Sequence, residues 1–219
     1  MNDKPRVKDM CDLLGIETTN IKNIIFDFGG VLLDWNPRYL YKSYFHNDKE
    51  MEHFLADICN GEWNSQLDAG RPFAEGVKEL QAKFPEYAEA IQMYDEGWEK
   101  MLKCELPDSI DLLRELKSRG YGIYGLTNWS AEKIGYAFNN YPFFSLFDGI
   151  VVSGIKKIVK PDRRIYEILL GRYSLRPEEC VFIDDNKDNV DMAKRLGINA
   201  IRFDNIVNVR GELETLLNK

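Results

Sequence analysis

Short apolar runs bounded by turn residues recur at 23–28, 121–126, 149–152, 180–183 and 200–203, and in the second half of the chain they alternate with helical patterns. Residues 109–119, 131–138, 164–173 and 188–196 repeat apolar side chains at three- and four-residue spacing, the period of a helix with one buried face. Strand–helix alternation of this kind predicts an α/β fold: a Rossmann-like, doubly wound, mostly parallel sheet with helices on both faces. Residues 37–106 break the rhythm. They show no convincing strand and are dense in aromatics, among them Tyr41, Phe54, Trp63, Phe73, Tyr94 and Trp98, so they read as an all-helical insertion whose core most of these rings fill. Within it, 62–73 is punctuated by Gly61, Gly70 and Pro72 around polar residues and reads as a loop that faces a ligand. The organisation expected is a peripheral helix over 1–20, an α/β core over 21–36 and 107–219, and a helical domain over 37–106.

A chain of 219 residues can bury one good core and carry a smaller appendage, and 44% apolar with 30% charged residues is an ordinary globular composition. A net charge of −7 argues against nucleic acid as a partner, because phosphate backbones demand clustered Lys and Arg. The basic groups that do cluster, Lys156, Lys157, Lys160, Arg163 and Arg164, suit a small anion better than a duplex. Cys11, Cys59, Cys104 and Cys180 are scattered without a C-x-x-C pair, which fits free thiols. The charged N-terminus lacks the apolar core of a signal peptide, and no apolar run reaches membrane-spanning length. A cytoplasmic protein with no membrane partner is expected.

Ligands of open parallel sheets sit beyond the carboxyl ends of the strands, so the residues that end each apolar run carry the chemistry. In IIFDFGG, Asp27 closes the first run and Gly29 and Gly30 follow; a carboxylate there needs a cation or hydrogen bonds, and glycines let backbone groups approach a ligand. The segment YGLTNWS sets Thr127 and Asn128, a hydroxyl and an amide able to donate to phosphate oxygens, at the same edge. Asn128 or Ser130 can instead cap the next helix. In VKPDRR, Pro161 biases Lys160 toward extended backbone and suits the first turn of a helix, which fixes Lys160 just before it. In VFIDDNKDN, Asp184 and Asp185 follow an apolar strand directly. Adjacent carboxylates repel unless they share a cation, and an oxygen-only site suits Mg²⁺, although one of the pair can instead cap the next helix.

The order Asp27, Thr127, Lys160-Pro161, Asp184-Asp185 resembles the four motifs of the haloacid dehalogenase superfamily over residues 24 to about 203. The helical insertion looks like that family's cap at its first insertion point. The branch with bacterial glucose-1-phosphate phosphatase is especially similar, as is the phosphatase domain of soluble epoxide hydrolases. The resemblance implies a phosphatase acting on a small phosphate monoester, a sugar phosphate first of all, with Asp27 as nucleophile and Mg²⁺ ligand and Gly29 offering its carbonyl to the metal. It further implies that Thr127 and Asn128 bind the phosphoryl group, that Lys160 steadies it and Asp27, and that Asp185 completes the metal site with Asp184 in support. One departure stands out. Most phosphatases of the superfamily carry a proton-transferring Asp at the position of Gly29, and a residue without a side chain cannot do that work. Asp34 is a candidate substitute by nearness in sequence. Two other readings are a 2-haloacid dehalogenase, which needs no metal but usually carries an aromatic at the position of Gly29, and a non-catalytic binding protein that has lost turnover.

Overall fold

The computed structural model describes residues 21–218, so the helix expected over 1–20 lies outside the described residues. Five strands form one parallel sheet: β1 (Asn23–Phe26), β4 (Gly122–Thr127), β5 (Gly149–Val152), β6 (Cys180–Asp184) and β7 (Asn199–Arg202), in the order β5-β4-β1-β6-β7. A second, two-stranded antiparallel ribbon pairs β2 (Leu33–Trp35) with β3 (Leu102–Glu105). Helices α1 (Arg38–Tyr41), α2 (Asp48–His53), α3 (Gly61–Asp68), α4 (Phe73–Lys83) and α5 (Ala88–Glu96) lie between those two ribbon strands, with a π-helical turn at Phe54–Ile58. The sheet is flanked by α6 (Pro107–Ser118), α7 (Ile134–Asn140), α8 (Ser153–Lys156), α9 (Arg163–Tyr173), α10 (Lys187–Arg195) and α11 (Ile206–Leu217).

Alternate residues of each strand feed two apolar cores. Ile24, Phe26, Val181 and Ile183 join one cluster, whereas Ile25, Cys180 and Phe182 join the other with Ile165, Leu169 and Val190. Strands buried on both faces read as near-continuous apolar runs, which is why they were visible in the sequence. The expected doubly wound sheet is therefore present. In its register Phe26 sits opposite both Gly125 and Ile183, so the residues that follow β1, β4 and β6 emerge at one level. The chain crosses from one side of β1 to the other between β5 and β6, and a crevice opens at such a reversal.

Two expectations need correction. The stretch 37–106 contains a strand after all: Leu102–Glu105 is only four residues long, and its pairing with Leu33–Trp35, remote in sequence, decides its conformation. The segment 62–73 is mostly helix rather than loop, since α3 runs to Asp68, started by the Asn60 side chain accepting from the Trp63 N–H at 2.9 Å. As expected, several rings of the helical segment pack on one another, with Tyr41 4.9 Å from Phe54 and Trp63 4.9 Å from Tyr94 between ring centroids. No described helix is long and apolar enough to cross a membrane.

Candidate functional site

Lys160 is the centre of the site. Its ammonium is buried, 2.8 Å from the Leu126 carbonyl, 2.7 Å from Asp184 Oδ2 and 2.9 Å from Asp27 Oδ1, so each of its three hydrogens has an acceptor. Burial works against its charge, but Asp27 and Asp184 outweigh that and raise its pKa. Asn128 holds the Lys160 backbone: its Nδ2 donates to the Lys160 carbonyl at 3.0 Å, and its Oδ1 accepts from the Lys160 N–H at 2.8 Å. An Asn128 side-chain bond to phosphate would use the second amide hydrogen. The sequence reading also put Pro161 in the first turn of the next helix. Instead Asp162 caps α9, accepting from the Arg164 N–H at 2.9 Å, so Lys160 sits in a turn ahead of that cap.

Asp27 leaves β1 with its N–H bonded to the Ile183 carbonyl at 2.9 Å. Asp184 is wholly buried and saturated: Lys160, the Asn186 N–H at 2.8 Å and Asn189 Nδ2 at 3.0 and 3.1 Å all bond to it. Asp185 is exposed to the cavity described below. Carboxylate oxygens of Asp27, Asp184 and Asp185 lie within 4.8 Å of one another. Lys160 faces Asp27 and Asp184, and the charge of Arg202 reaches Asp185, so three carboxylates outnumber the cations beside them. Burial, with Asp184 and Asp185 nearby, accordingly pushes the Asp27 pKa up despite Lys160. This donor set, all oxygen and net negative, fits a small divalent cation such as Mg²⁺. Thr127 strengthens the case for a ligand: its hydroxyl is buried without a partner among the described residues, a loss of about 1–3 kcal/mol unless something beyond the strand ends satisfies it.

Gly30 has φ +74°, and a Cβ there would lie 2.6 Å from Asp185 Oδ2, so glycine is required both by the turn and by the close carboxylate. Gly29 differs. A Cβ at Gly29 would meet no atom of the described residues within 4 Å.

A cavity of about 350 Å³ opens over these residues. Asp27, Gly29, Gly30, Asn128 and Asp185 contribute from the sheet side, and Trp35, Trp98, Trp129, Asn64 and Asp68 complete its wall. A wider groove of about 490 Å³, lined by Lys194, Ile198 and Thr215, contains none of the site residues. The sequence reading missed Asn64, Asp68, Asn189 and the tryptophans. A signal existed for the first two: on α3, Trp63 and Leu67 form the buried stripe, and Asn64 and Asp68 repeat the same i, i+4 spacing one residue further round. The basic stretch around Lys160 is not an anion cluster. Arg163 pairs with Glu167 and Arg164 with Asp162, both on the surface. Asp34 lies on β2, accepts from the Tyr39 hydroxyl at 2.8 Å and is not on the cavity wall.

Asp68 accepts from Asn64 Nδ2 at 2.9 Å. Burial first, then the charge of Asp27, raise its carboxyl pKa to about 7, against hydrogen bonds from Ser130 N–H and Asn64. A carboxyl raised from 3.8 to about 7 on folding takes up a proton, so its contribution to stability is complete below about pH 4 and is lost as pH rises through about 7. In metal-free protein, Asp68→Asn is therefore expected to raise the melting temperature above about pH 7 and to change it little below about pH 4. Circular dichroism melts across that range check this, and a difference independent of pH would contradict it.

A parallel α/β sheet with carboxylates, a buried lysine and an unpartnered hydroxyl gathered at its strand ends defines a hydrolase-type site at a topological switch point. The chain belongs to the haloacid dehalogenase-like hydrolases: that family's model matches residues 21–197. A sesquiterpene phosphatase of Aspergillus oryzae is 30% identical over 183 residues, 82% of this chain and 88% of that one. D-ribitol-5-phosphate phosphatase of Bacteroides thetaiotaomicron is 22% identical over 90% of this chain and 99% of its own length. An (S)-2-haloacid dehalogenase of Burkholderia cepacia is 31% identical over 97 residues, 44% of this chain and 42% of that one. Among solved structures, a family enzyme from Bacteroides thetaiotaomicron in complex with magnesium and inorganic phosphate superposes with a TM-score of 0.65 at 23% identity, covering 84% of this chain and 94% of the other.

Proposed function

We propose that the chain is a Mg²⁺-dependent phosphatase that hydrolyses a small phosphorylated metabolite through an aspartyl phosphate on Asp27. The observation that carries this reading is the pairing of Asp27 with buried Lys160 inside the three-carboxylate cluster at the cavity floor. Lys160 engages Asp27 Oδ1, which leaves Oδ2 to attack phosphorus. Thr127, with its unpartnered hydroxyl, and Asn128 bind the phosphoryl oxygens. Asp184 holds Lys160, while Asp27, Asp185 and the Gly29 carbonyl would hold the cation. Bound there, Mg²⁺ offsets the repulsion between two anions, about 4 kcal/mol at roughly 4 Å and an effective dielectric near 20.

In this reading residues 21–36 and 107–219 form the catalytic core and 37–106 the cap, whose Asn64, Asp68 and Trp98 cover the site. The protein works in the cytoplasm on small molecules, not on nucleic acid or membranes. Its net charge of −7 and the unpaired thiols Cys59, Cys104 and Cys180 support that setting.

The resemblance to glucose-1-phosphate phosphatase and the ribitol phosphate relative support a sugar phosphate as substrate. A second reading has its own observation. Trp35, Trp98 and Trp129 wall the cavity, a surface that suits a substrate whose leaving group is an apolar alcohol, such as a terpenyl phosphate, the class named for the fungal relative. The test is a panel of sugar and prenyl phosphates with purified protein and Mg²⁺. Turnover of a phosphate that stops with EDTA and returns with Mg²⁺ is expected. Chloride release from 2-chloropropionate without metal, and no phosphate release, would instead favour a dehalogenase.

A further inference from the structure

Gly29 offers the site no side chain to move a proton, and the surrounding space is open, with no atom of the described residues within 4 Å of a Cβ placed there. The leaving oxygen of an alkyl phosphate still needs a proton, and the water that resolves an aspartyl phosphate still needs a base. Among the described residues, three carboxylates line the cavity. Asp27 and Asp185 belong to the cation cluster, which leaves Asp68.

Asp68 is built for a fixed position. Its Oδ2 accepts from Asn64, and the Asn64 amide is itself oriented by the buried Tyr94 hydroxyl, which donates to Asn64 Oδ1 at 2.9 Å. Ser153 Oγ donates to the Asp68 carbonyl at 2.6 Å and ties the end of α3 to the edge of the sheet. Trp63 and Leu67 supply the buried apolar face of α3, and the Asp68 carboxyl is further steadied by the Ser130 N–H.

We propose that Asp68, delivered by the helical segment, is the acid–base residue of this site and replaces the side chain missing at Gly29. The assignment rests on the phosphatase reading. In the first step Asp27 forms a bond to phosphorus, the bond from phosphorus to the leaving oxygen breaks, and that oxygen takes the Asp68 proton. In the second, the Asp68 carboxylate takes a proton from water as the water oxygen bonds to phosphorus. The bond between Asp27 and phosphorus then breaks, and phosphate leaves with Asp68 protonated again. A carboxyl raised toward neutrality can serve both steps, and burial, the first cause of that shift, persists when a cation neutralises Asp27.

The test uses the full chain with Mg²⁺ and a series of aryl phosphates. p-Nitrophenolate leaves without a proton, whereas the more basic oxygen of phenyl phosphate needs one. For Asp68→Asn, the first turnover of p-nitrophenyl phosphate is expected to slow by less than about tenfold and that of phenyl phosphate by about 100-fold or more. With p-nitrophenyl phosphate the variant should also release one burst of p-nitrophenolate per active site and then stall, because the aspartyl phosphate has lost its base. Adding Gly29→Asp to Asp68→Asn should restore phenyl phosphate turnover at least about tenfold, since the space at residue 29 admits the side chain. Equal falls on both esters, with no burst and no rescue, would overturn the assignment while leaving the phosphatase reading intact. A wild type that hydrolyses no phosphate ester would remove both.

Discussion

Asp27→Asn is expected to lower turnover by at least about four orders of magnitude while leaving the fold in place. The amide keeps the shape of the side chain and an oxygen for Lys160 at 2.9 Å, but it offers no anionic oxygen to attack phosphorus. The variant also removes one of three crowded carboxylates, so the metal-free protein should melt no lower than wild type at neutral pH. Steady-state hydrolysis of p-nitrophenyl phosphate and a thermal melt together check this. A variant that keeps a tenth of the activity would reject Asp27 as the nucleophile.

Lys160→Met should be damaging in two separable ways. It leaves Asp27, Asp184 and the Leu126 carbonyl without their shared donor in a buried place, an arrangement expected to cost about 3–5 kcal/mol of stability. It also removes the cation that opposes charge on the transferring phosphoryl group, so activity should fall by at least about a thousandfold. Adding Asp184→Asn separates these effects: with one buried anion gone, much of the stability should return, but turnover should not. Denaturant titrations and assays of the single and double variants check the pair. Recovery of both quantities together would show that Lys160 serves the fold alone.

Much of this arrangement was legible in the sequence because a parallel sheet aligns the ends of its strands. Apolar runs that stop at Asp27, Thr127 and Asp184 announce where the chain turns polar, and the register then brings those ends to one level. Lys160 was legible for a different reason, through the backbone restriction imposed by Pro161. What fixes it, however, is the Asn128 side chain, and a bond between residues 32 positions apart leaves no local trace. Asn64 and Asp68 escaped notice because an i, i+4 polar pair beside an apolar stripe usually marks a solvated helix face. Here the sheet edge and Ser153 turn that face inward. β3 was invisible for a related reason, since four residues with one buried side chain take their conformation from the partner strand. Asp34, a candidate by nearness in sequence alone, is engaged by the Tyr39 hydroxyl and is not among the residues that line the cavity.

Covalent capture of phosphate on one carboxylate is the step that distinguishes this account from every rival. Protein mixed with Mg²⁺ and a turned-over phosphate ester, quenched in acid and digested, should yield the peptide containing Asp27 with the added mass of one phosphoryl group. Tandem mass spectrometry should place the group on Asp27, and the Asp27→Asn protein should carry none. A phosphoryl group on another residue, or phosphate release during turnover with residue 27 unmodified at every quench time, would contradict the account.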